Sequence, residues 1–404
     1  MPTNRTASRR AKAAAVKLFV ALLLVSVAGA SLPAFGQQKD PERDRAFKLW
    51  DAQNFVEATP LLEKLAQKYP DDPAVLGRLG FSIYATSTSV QDPEKRRAMR
   101  DKAREILLKS RQAGDNSNLT MIALDGLAAG TDPTSIPFSK VRDAEKAIRD
   151  AEESFVHGDL DKALEGYKRA LELDPRLYEA ALYAGDMYFK KGMSEKDARK
   201  KSDLMSEAGV WFAKAVAINA DRETAHRYWG DALMMGQEKR DESREHFVDA
   251  IVAEPYTRSA WVGLVQWGER YGVTLAHPRV DVPKNPDDMA GDAVWGAYAK
   301  TRIEWRTSRF AQTYPKEAYR HSLAEETAAL RALAESASKA GWSGKDLPPS
   351  LTNVIELNKA GLLEAYVLIA LADEGIARDY AEYRKANREK LRRYLLDYVS
   401  SEKN

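Results

Sequence analysis

The 404-residue sequence contains no cysteine. This absence excludes disulfides, thiolate metal ligands, a cysteine nucleophile and a lipid-modified cysteine behind a signal peptide. Histidine is scarce, with five scattered residues and no His-Glu-x-x-His run. The sequence also lacks a glycine-rich phosphate loop, a Gly-x-Ser-x-Gly motif and a dinucleotide-binding fingerprint. We therefore expect no catalytic residue, no metal site and no cofactor, and the sequence predicts a protein that is not an enzyme.

The composition favours helices. The chain is 44% hydrophobic and 30% charged, and Ala, Leu, Glu, Lys and Arg dominate most windows, with few β-branched runs. The length suits two or three ordinary domains, or one elongated solenoid of stacked helix pairs.

The N-terminus has the features of a secretory signal peptide. Five basic residues and no acidic residue precede the apolar run from Leu18 to Ala30, which is followed by small residues and Pro33. We expect cleavage near Ala30 or Gly36, and hence a periplasmic or secreted protein. The alternative is an uncleaved membrane anchor, because residues 18–36 are uncharged and reach about the shortest length that spans a bilayer.

Cleavage changes the net charge of the chain. Without the five basic residues of the signal peptide, 57 Lys and Arg face 60 Asp and Glu, a net charge of −3. Nucleic-acid binding normally needs a clustered basic face, so we expect no nucleic-acid partner. Contact with a membrane is expected only through an uncleaved signal segment or through a partner.

Four segments repeat one order of small, aromatic and proline residues. In residues 158–175, Ala163, Tyr167, Ala170 and Pro175 follow the order of the second helix of a tetratricopeptide repeat, and Gly185 matches the close contact of the next first helix. The corresponding residues elsewhere are Ala58, Leu62 and Pro70; Ala208, Phe212, Ala215 and Gly230; and Phe247, Ala250, Pro255 and Trp261. The chain therefore resembles the tetratricopeptide-repeat family, exported bacterial type, which implies an all-α solenoid of helical hairpins.

The spacing of these segments predicts two insertions. The matching residues Ala170, Ala215 and Ala250 lie 45 and 35 positions apart, whereas the period of the family is about 34 residues. We therefore expect 11 extra residues near 193–205 and one extra residue near 237–241.

The pattern divides the chain into five segments. We expect a signal peptide at 1–36, degenerate tetratricopeptide-like repeats at 40–142, tetratricopeptide repeats at 143–272, a proline-rich extended connector at 273–288, and a C-terminal helical module or cap at 289–404. The cap interpretation follows from the polar outer face that the end of a repeat stack needs.

The resemblance also implies a concave groove that is lined by the first helix of each repeat. Twelve residues occupy such positions: Leu182, Asp186, Phe189, Lys190, Arg227, Asp231, Met234, Met235, Val262, Gln266, Glu269 and Arg270. Their mixture of apolar side chains and opposite charges suits a peptide or a helix of another protein. The alternative is that the charged residues only pair with one another. The Lys and Asn of the carboxylate-clamp subtype are missing from these places.

Three other groups of residues have a functional and a structural interpretation. His226 and His246 could meet between adjacent helices, with packing as the expected role. Trp295 and Trp305, with Arg302, Arg306 and Arg309, would suit an anionic glycan or peptide, or else form a core with a charged rim. The basic helix at the C-terminus could lie on anionic lipid, or pack along one apolar side.

The sequence thus predicts a non-catalytic scaffold of the bacterial cell envelope that binds a peptide or a protein in a tetratricopeptide groove, because stacked repeats present a long curved surface. Two alternatives remain. One is a structural or assembly factor of the envelope. The other is an enzyme or glycan-binding module in the C-terminal helices, which would require a buried cluster of carboxylates or histidine there.

Overall fold

A computed structural model describes residues 40–90, 92–127, 137–283, 285–339 and 347–401. The predicted signal peptide lies outside these residues. The fold class is the predicted one: the described chain is all-α, without strands, and its helices pack as adjacent pairs in the manner of a helical solenoid. Within the described ranges, no helix is long and apolar enough to cross a membrane.

The helices divide into two compact units. The first contains the described residues up to His246 together with Arg258–Val262, and the second contains Phe247–Thr257 and the chain from Gly263 onward. The helices up to the connector are α1 Pro41–Asp51, α2 Phe55–Lys68, α3 Pro73–Ser87, α4 Pro93–Gln112, α5 Asn118–Gly126, α6 Arg142–Val156, α7 Leu160–Leu173, α8 Tyr178–Ser194, α9 Ala198–Ile218, α10 Glu223–Asp231, α11 Arg240–Ala253 and α12 Arg258–Tyr271.

The same Asp-Pro signal starts three of the early helices. Asp40, Asp72 and Asp92 precede the prolines that open α1, α3 and α4, and each carboxylate accepts two backbone N–H groups of the first turn. Aspartate at this position satisfies otherwise unpaired donors, and proline fits the first helical position because its missing N–H has no partner there. The sequence thereby fixes where each of these hairpin helices begins.

Close packing of helix pairs depends on small side chains in register. A Cβ added to Gly185 in α8 would lie 2.6 Å from Cε1 of Phe212 in α9, so only glycine permits this approach. The ring of Phe247 likewise lies against Gly263. Phe212, Phe247 and Tyr167 are all buried, which agrees with the role that the repeat pattern predicts for them.

The helices absorb both extra stretches of sequence. The region near 193–205 lengthens α8 to 17 residues and α9 to 21 residues instead of forming a long loop. Eleven residues make about three helical turns, so the faces of the helices stay in register. A π-helical turn at Ala232–Gly236 continues α10 just before 237–241, and such a turn takes up one extra residue.

The second unit continues with helices of four to 17 residues after the connector. Residues 273–283 contain no helix, and the 3-10 turn that follows begins inside the segment 273–288 that is predicted as a connector. The following elements are a 3-10 turn Pro286–Met289, α13 Gly296–Glu304 with the π turn Trp305–Arg309, α14 Phe310–Thr313, α15 Leu323–Lys339, α16 Pro349–Ala360, α17 Leu363–Ala370, α18 Glu374–Ala377, and α19 Tyr380–Tyr394 with the π turn Leu395–Val399.

The C-terminal helices are shorter than the sequence suggests. A single helix over 351–399, broken near Gly375, is the expectation from periodicity, but Gly361 ends α16 with a left-handed φ of 69°. Glycine is the residue that adopts this conformation without steric cost. A further change of direction within α19 occurs at Asn387, whose φ of −130° is not helical.

Candidate functional site

Most of the predicted groove residues are buried. Eight of the twelve have at most 8% of their surface exposed, namely Leu182, Asp186, Phe189, Lys190, Arg227, Asp231, Met234 and Val262. Met235 and Gln266 are half-buried, and Glu269 and Arg270 are exposed. The accessible positions of the predicted groove therefore lie mainly in α12, which is the first helix of the last predicted repeat. The groove itself stays a prediction.

Three buried carboxylates recur on α6, α8 and α10, the first helices of successive predicted repeats. We call this set of three residues the carboxylate ladder. Glu152 in α6 lies 34 positions before Asp186 in α8, and Asp231 in α10 lies 45 positions after it. These spacings equal the repeat period and the lengthened repeat, so the three residues occupy equivalent positions. All three are buried, with at most 5% of their surface exposed. Asp186 and Asp231 are among the predicted groove residues, and Glu152 is not, although its 34-residue offset from Asp186 indicates it.

Glu152 is the best-satisfied member of the carboxylate ladder. The hydroxyl of Tyr167 donates to its Oε1 at 2.5 Å. Burial raises the pKa of Glu152 to about 7, against the lowering effect of this hydrogen bond and of the Arg149 charge. A carboxyl group whose ionisation is costly therefore lies in the core of the first unit.

Asp186 and Lys190 form a buried ion pair one helical turn apart. The Lys190 Nζ lies 3.5 Å from Asp186 Oδ2, and neither carboxylate oxygen accepts a closer hydrogen bond. Burial raises the pKa of Asp186 to about 8, although the Lys190 charge opposes this, and burial lowers the pKa of Lys190. Burial removes water from both charged groups, and their attraction across 3.5 Å compensates only partly. Such a pair contributes little to the stability of the fold.

Asp231, the third residue of the carboxylate ladder, lies beside an ion pair with a shorter contact. Arg227 Nε donates to Glu223 Oε2 at 2.9 Å, and Ser259 Oγ donates to Glu223 Oε1 at 2.8 Å. Burial raises the pKa of Asp231 to about 7, against the nearby Arg227 charge. Arg227 and Asp231 therefore belong to an internal polar network, and Glu223 is a member of it that the sequence analysis did not single out.

The side chains of His226 and His246 pack close to each other. The His226 and His246 rings lie 6.4 Å apart, and the indole of Trp229 stacks on His246 at 4.1 Å. His246 therefore packs face to face against an aromatic ring of α10.

The tryptophans and arginines of α13 have mostly internal partners. Trp305 is buried and Trp295 is half-buried. Arg306 pairs with Asp287 at 2.7 Å and Arg309 with Glu304 at 2.7 Å. Arg302 extends inward to Glu325 and Glu326. These residues therefore form a core with a paired rim.

The C-terminal basic helix packs along one apolar side. Tyr380, Leu391 and Tyr394 are its buried residues, and Tyr380 donates its hydroxyl to the Val252 carbonyl at 2.6 Å. Arg392 pairs with Asp249. These contacts support the interpretation in which the helix packs along one apolar side.

A buried cluster of carboxylates and a histidine lies in the C-terminal helices. Glu325 and Glu326, in the first turn of α15, are buried beside His321. Because these residues come from a loop and a helix start without repeat spacing, sequence periodicity gave no signal for them. Both ring nitrogens of His321 face carboxylates.

No protein-family model matches the sequence, and no curated protein is similar to it.

Proposed function

We propose that the chain is a non-catalytic interaction protein of tetratricopeptide-like type, which acts in the cell envelope and binds a peptide or a segment of a partner protein. The resemblance of its hairpins to tetratricopeptide repeats supports the class of function. The observation that carries the proposal is the exposed face of α12, where predicted groove positions stay accessible.

Residues of this face combine apolar and charged groups. Val265 is 41% exposed, Glu269 and Arg270 are exposed, and Gln266 is half-exposed. Apolar contact area with opposite charges at its edge is the composition of a protein-binding surface. Asp186 and Asp231 are buried, so they are unsuited to direct contact with a partner.

The test compares two surfaces with the same chemistry. Val265→Glu/Glu269→Arg alters the α12 face, and the matched control Val210→Glu/Glu207→Arg alters an exposed face of α9, where Val210 is 51% exposed. Tagged full chains are cross-linked in the envelope of their own cells, and captured proteins are quantified by mass spectrometry. We expect the α12 variant to lose a partner by about tenfold or more, a loss equal to roughly 1.4 kcal/mol, and the α9 variant to keep it.

Both variants must first show the wild-type melting temperature, so that a loss of partner reports the surface and not unfolding. Equal recovery of every partner by the wild type and the α12 variant would contradict the assignment of the binding face.

A further inference from the structure

The N-terminal turn of α15 gathers an unusual number of charged groups. Glu326 accepts hydrogen bonds from Tyr298 at 2.9 Å and from Arg302 at 2.8 Å. Glu325 accepts from Arg302 at 2.6 Å and from Tyr319 at 3.1 Å. Both carboxylates are buried, so they are anchored firmly against α13.

His321 connects this anchored cluster to another segment of the second unit. Its Nε2 lies 3.0 Å from Glu326 Oε2, and its Nδ1 lies 2.7 Å from Asp373 Oδ2. Asp373 caps α18 by accepting the N–H of Ile376 at 2.9 Å with its other oxygen. The imidazole thus bridges two elements that are separated by about 50 positions in the sequence.

The geometry of this bridge requires a particular protonation state. An ionised carboxylate only accepts hydrogen bonds, and a neutral imidazole donates from one nitrogen only. With carboxylates on both sides, the ring donates to both only as an imidazolium. In the neutral form, one nitrogen lone pair would point at a carboxylate oxygen.

We propose that His321 is a proton-dependent clasp, which joins Asp373 at the start of α18 to Glu326 in α15 when the imidazole is protonated and releases Asp373 when it is neutral. Release occurs at the Asp373 end because the side chain of Asp373 is 51% exposed, whereas that of Glu326 is 3% exposed. Glu326 also keeps its bonds from Tyr298 and Arg302 after the proton leaves.

The other charged groups around the ring set the direction of its titration. Burial and the Arg302 charge of α13 favour the neutral form, but the bonds to Glu326 and Asp373 outweigh them, so the pKa of His321 is raised. Protonation is therefore complete below the ordinary histidine range and is lost as the pH rises through the raised value.

A second tie limits how far the segment moves. Arg320 binds Asp379 through two nitrogens, at 3.0 and 2.6 Å, and donates to the Gly375 carbonyl at 2.8 Å. Arginine stays charged at any accessible pH. Loss of the proton thus frees the side chain of Asp373, the cap of α18, while Gly375 and Asp379 remain attached to Arg320, and the second unit keeps its fold.

Hydrogen exchange and NMR test the clasp on the full chain. Selective ¹⁵N-histidine labelling follows the titration of His321, and mass-spectrometric hydrogen exchange follows the peptide that contains residues 371–379. After correction for the intrinsic pH dependence, we expect exchange of the Ile376 and Ala377 amides to rise by roughly tenfold as His321 loses its proton, because a charge-assisted hydrogen bond is lost.

Asp373→Asn is the decisive variant. Asparagine keeps the helix-capping acceptor but removes the charge that faces Nδ1, so we expect a lower pKa for His321 and no pH step in exchange. His157→Gln, at the exposed histidine that directly follows α6, is the control and should leave the step unchanged. The clasp is overturned if exchange of residues 371–379 does not follow the His321 titration, or if Asp373→Asn leaves the pKa of His321 unchanged.

Discussion

The ring of Phe212 packs directly against the backbone of Gly185, so that one helix of the pair presents no side chain at the point of closest approach. A Cβ at Gly185 would lie 2.6 Å from the ring and 3.2 Å from the Ala208 carbonyl oxygen. This contact fixes the separation of α8 and α9 and hence the geometry of one hairpin in the stack.

We predict that Gly185→Ala destabilises the first unit. Overpacking costs about 1–3 kcal/mol, and the better helix propensity of alanine returns about 1 kcal/mol, so we expect a net loss of about 1 kcal/mol in the free energy of urea unfolding. Phe212→Leu creates room at the same place, and the double variant should be more stable than the sum of the two single effects by roughly 0.5 kcal/mol or more.

The matched comparison pairs Gly185→Ala with Leu62→Ala, a core change in the first hairpin. We expect their effects to add, because the two residues share no neighbour in the packing of α8 on α9. Additive behaviour of Gly185→Ala with Phe212→Leu would contradict the proposed contact.

The Asp186–Lys190 pair gives a second prediction, in which a single change harms the protein and a double change does not. Asp186→Ala leaves the Lys190 ammonium buried without a counterion, and breaking a buried pair in this way costs about 3 kcal/mol or more. Asp186→Leu/Lys190→Met replaces both charges by apolar groups of similar size, and we expect it to be at least as stable as the wild type. Thermal and denaturant unfolding at pH 9, above the raised pKa of Asp186, measure both variants.

An exposed pair of the same spacing serves as the control. Lys146 and Asp150 have side chains that are 74% and 58% exposed, and Asp150→Ala should change the unfolding free energy by less than about 0.5 kcal/mol. If the apolar double variant at 186 and 190 unfolds more easily than Asp186→Ala, the buried charges contribute to the fold in another way.

The helix pairs could be predicted because their signal is local and periodic. Gly185 and Phe212 have counterparts 35 or 45 positions away along the chain, and the interior of a stack needs a small residue opposite a large one wherever two helices touch. The number of extra residues between the repeats could also be predicted, but their secondary structure could not. An insertion of about three turns lengthens α8 and α9 without disturbing either face, a result that spacing alone does not distinguish from a loop.

The repeat spacing does not predict whether the residues of the candidate site are buried. The position of Asp186 on a first helix follows from the repeat, yet whether that face is open depends on neighbours that lie elsewhere in the chain. The 34-residue offset from Asp186 is enough to indicate Glu152 as an equivalent position. The contact of His321 with Asp373 joins two irregular segments, for which no periodicity exists.

The buried carboxylates lead to a prediction about pH. The pKa of Glu152 is raised from 4.5 to about 7 and that of Asp231 from 3.8 to about 7, in each case chiefly by burial. Between these values the unfolded chain has released protons that the folded chain still holds, so the unfolding free energy falls as the pH rises. Each group contributes a slope of up to about 1.4 kcal/mol per pH unit, and the contribution of these two groups ends above pH 7, whereas that of Asp186 extends to about pH 8.

Amide substitutions isolate this contribution. Glu152→Gln/Asp231→Asn imitates the protonated carboxyls, so the difference in unfolding free energy between this variant and the wild type should widen from pH 5 to pH 7 and then stay constant. Glu153→Gln, an exposed neighbour on the same helix, should follow the wild-type curve throughout. Denaturant titrations at half-unit pH steps measure the three proteins side by side. A constant difference between the double variant and the wild type would mean that Glu152 and Asp231 ionise equally easily in the folded and unfolded chains, and that their burial does not govern the pH response of the first unit.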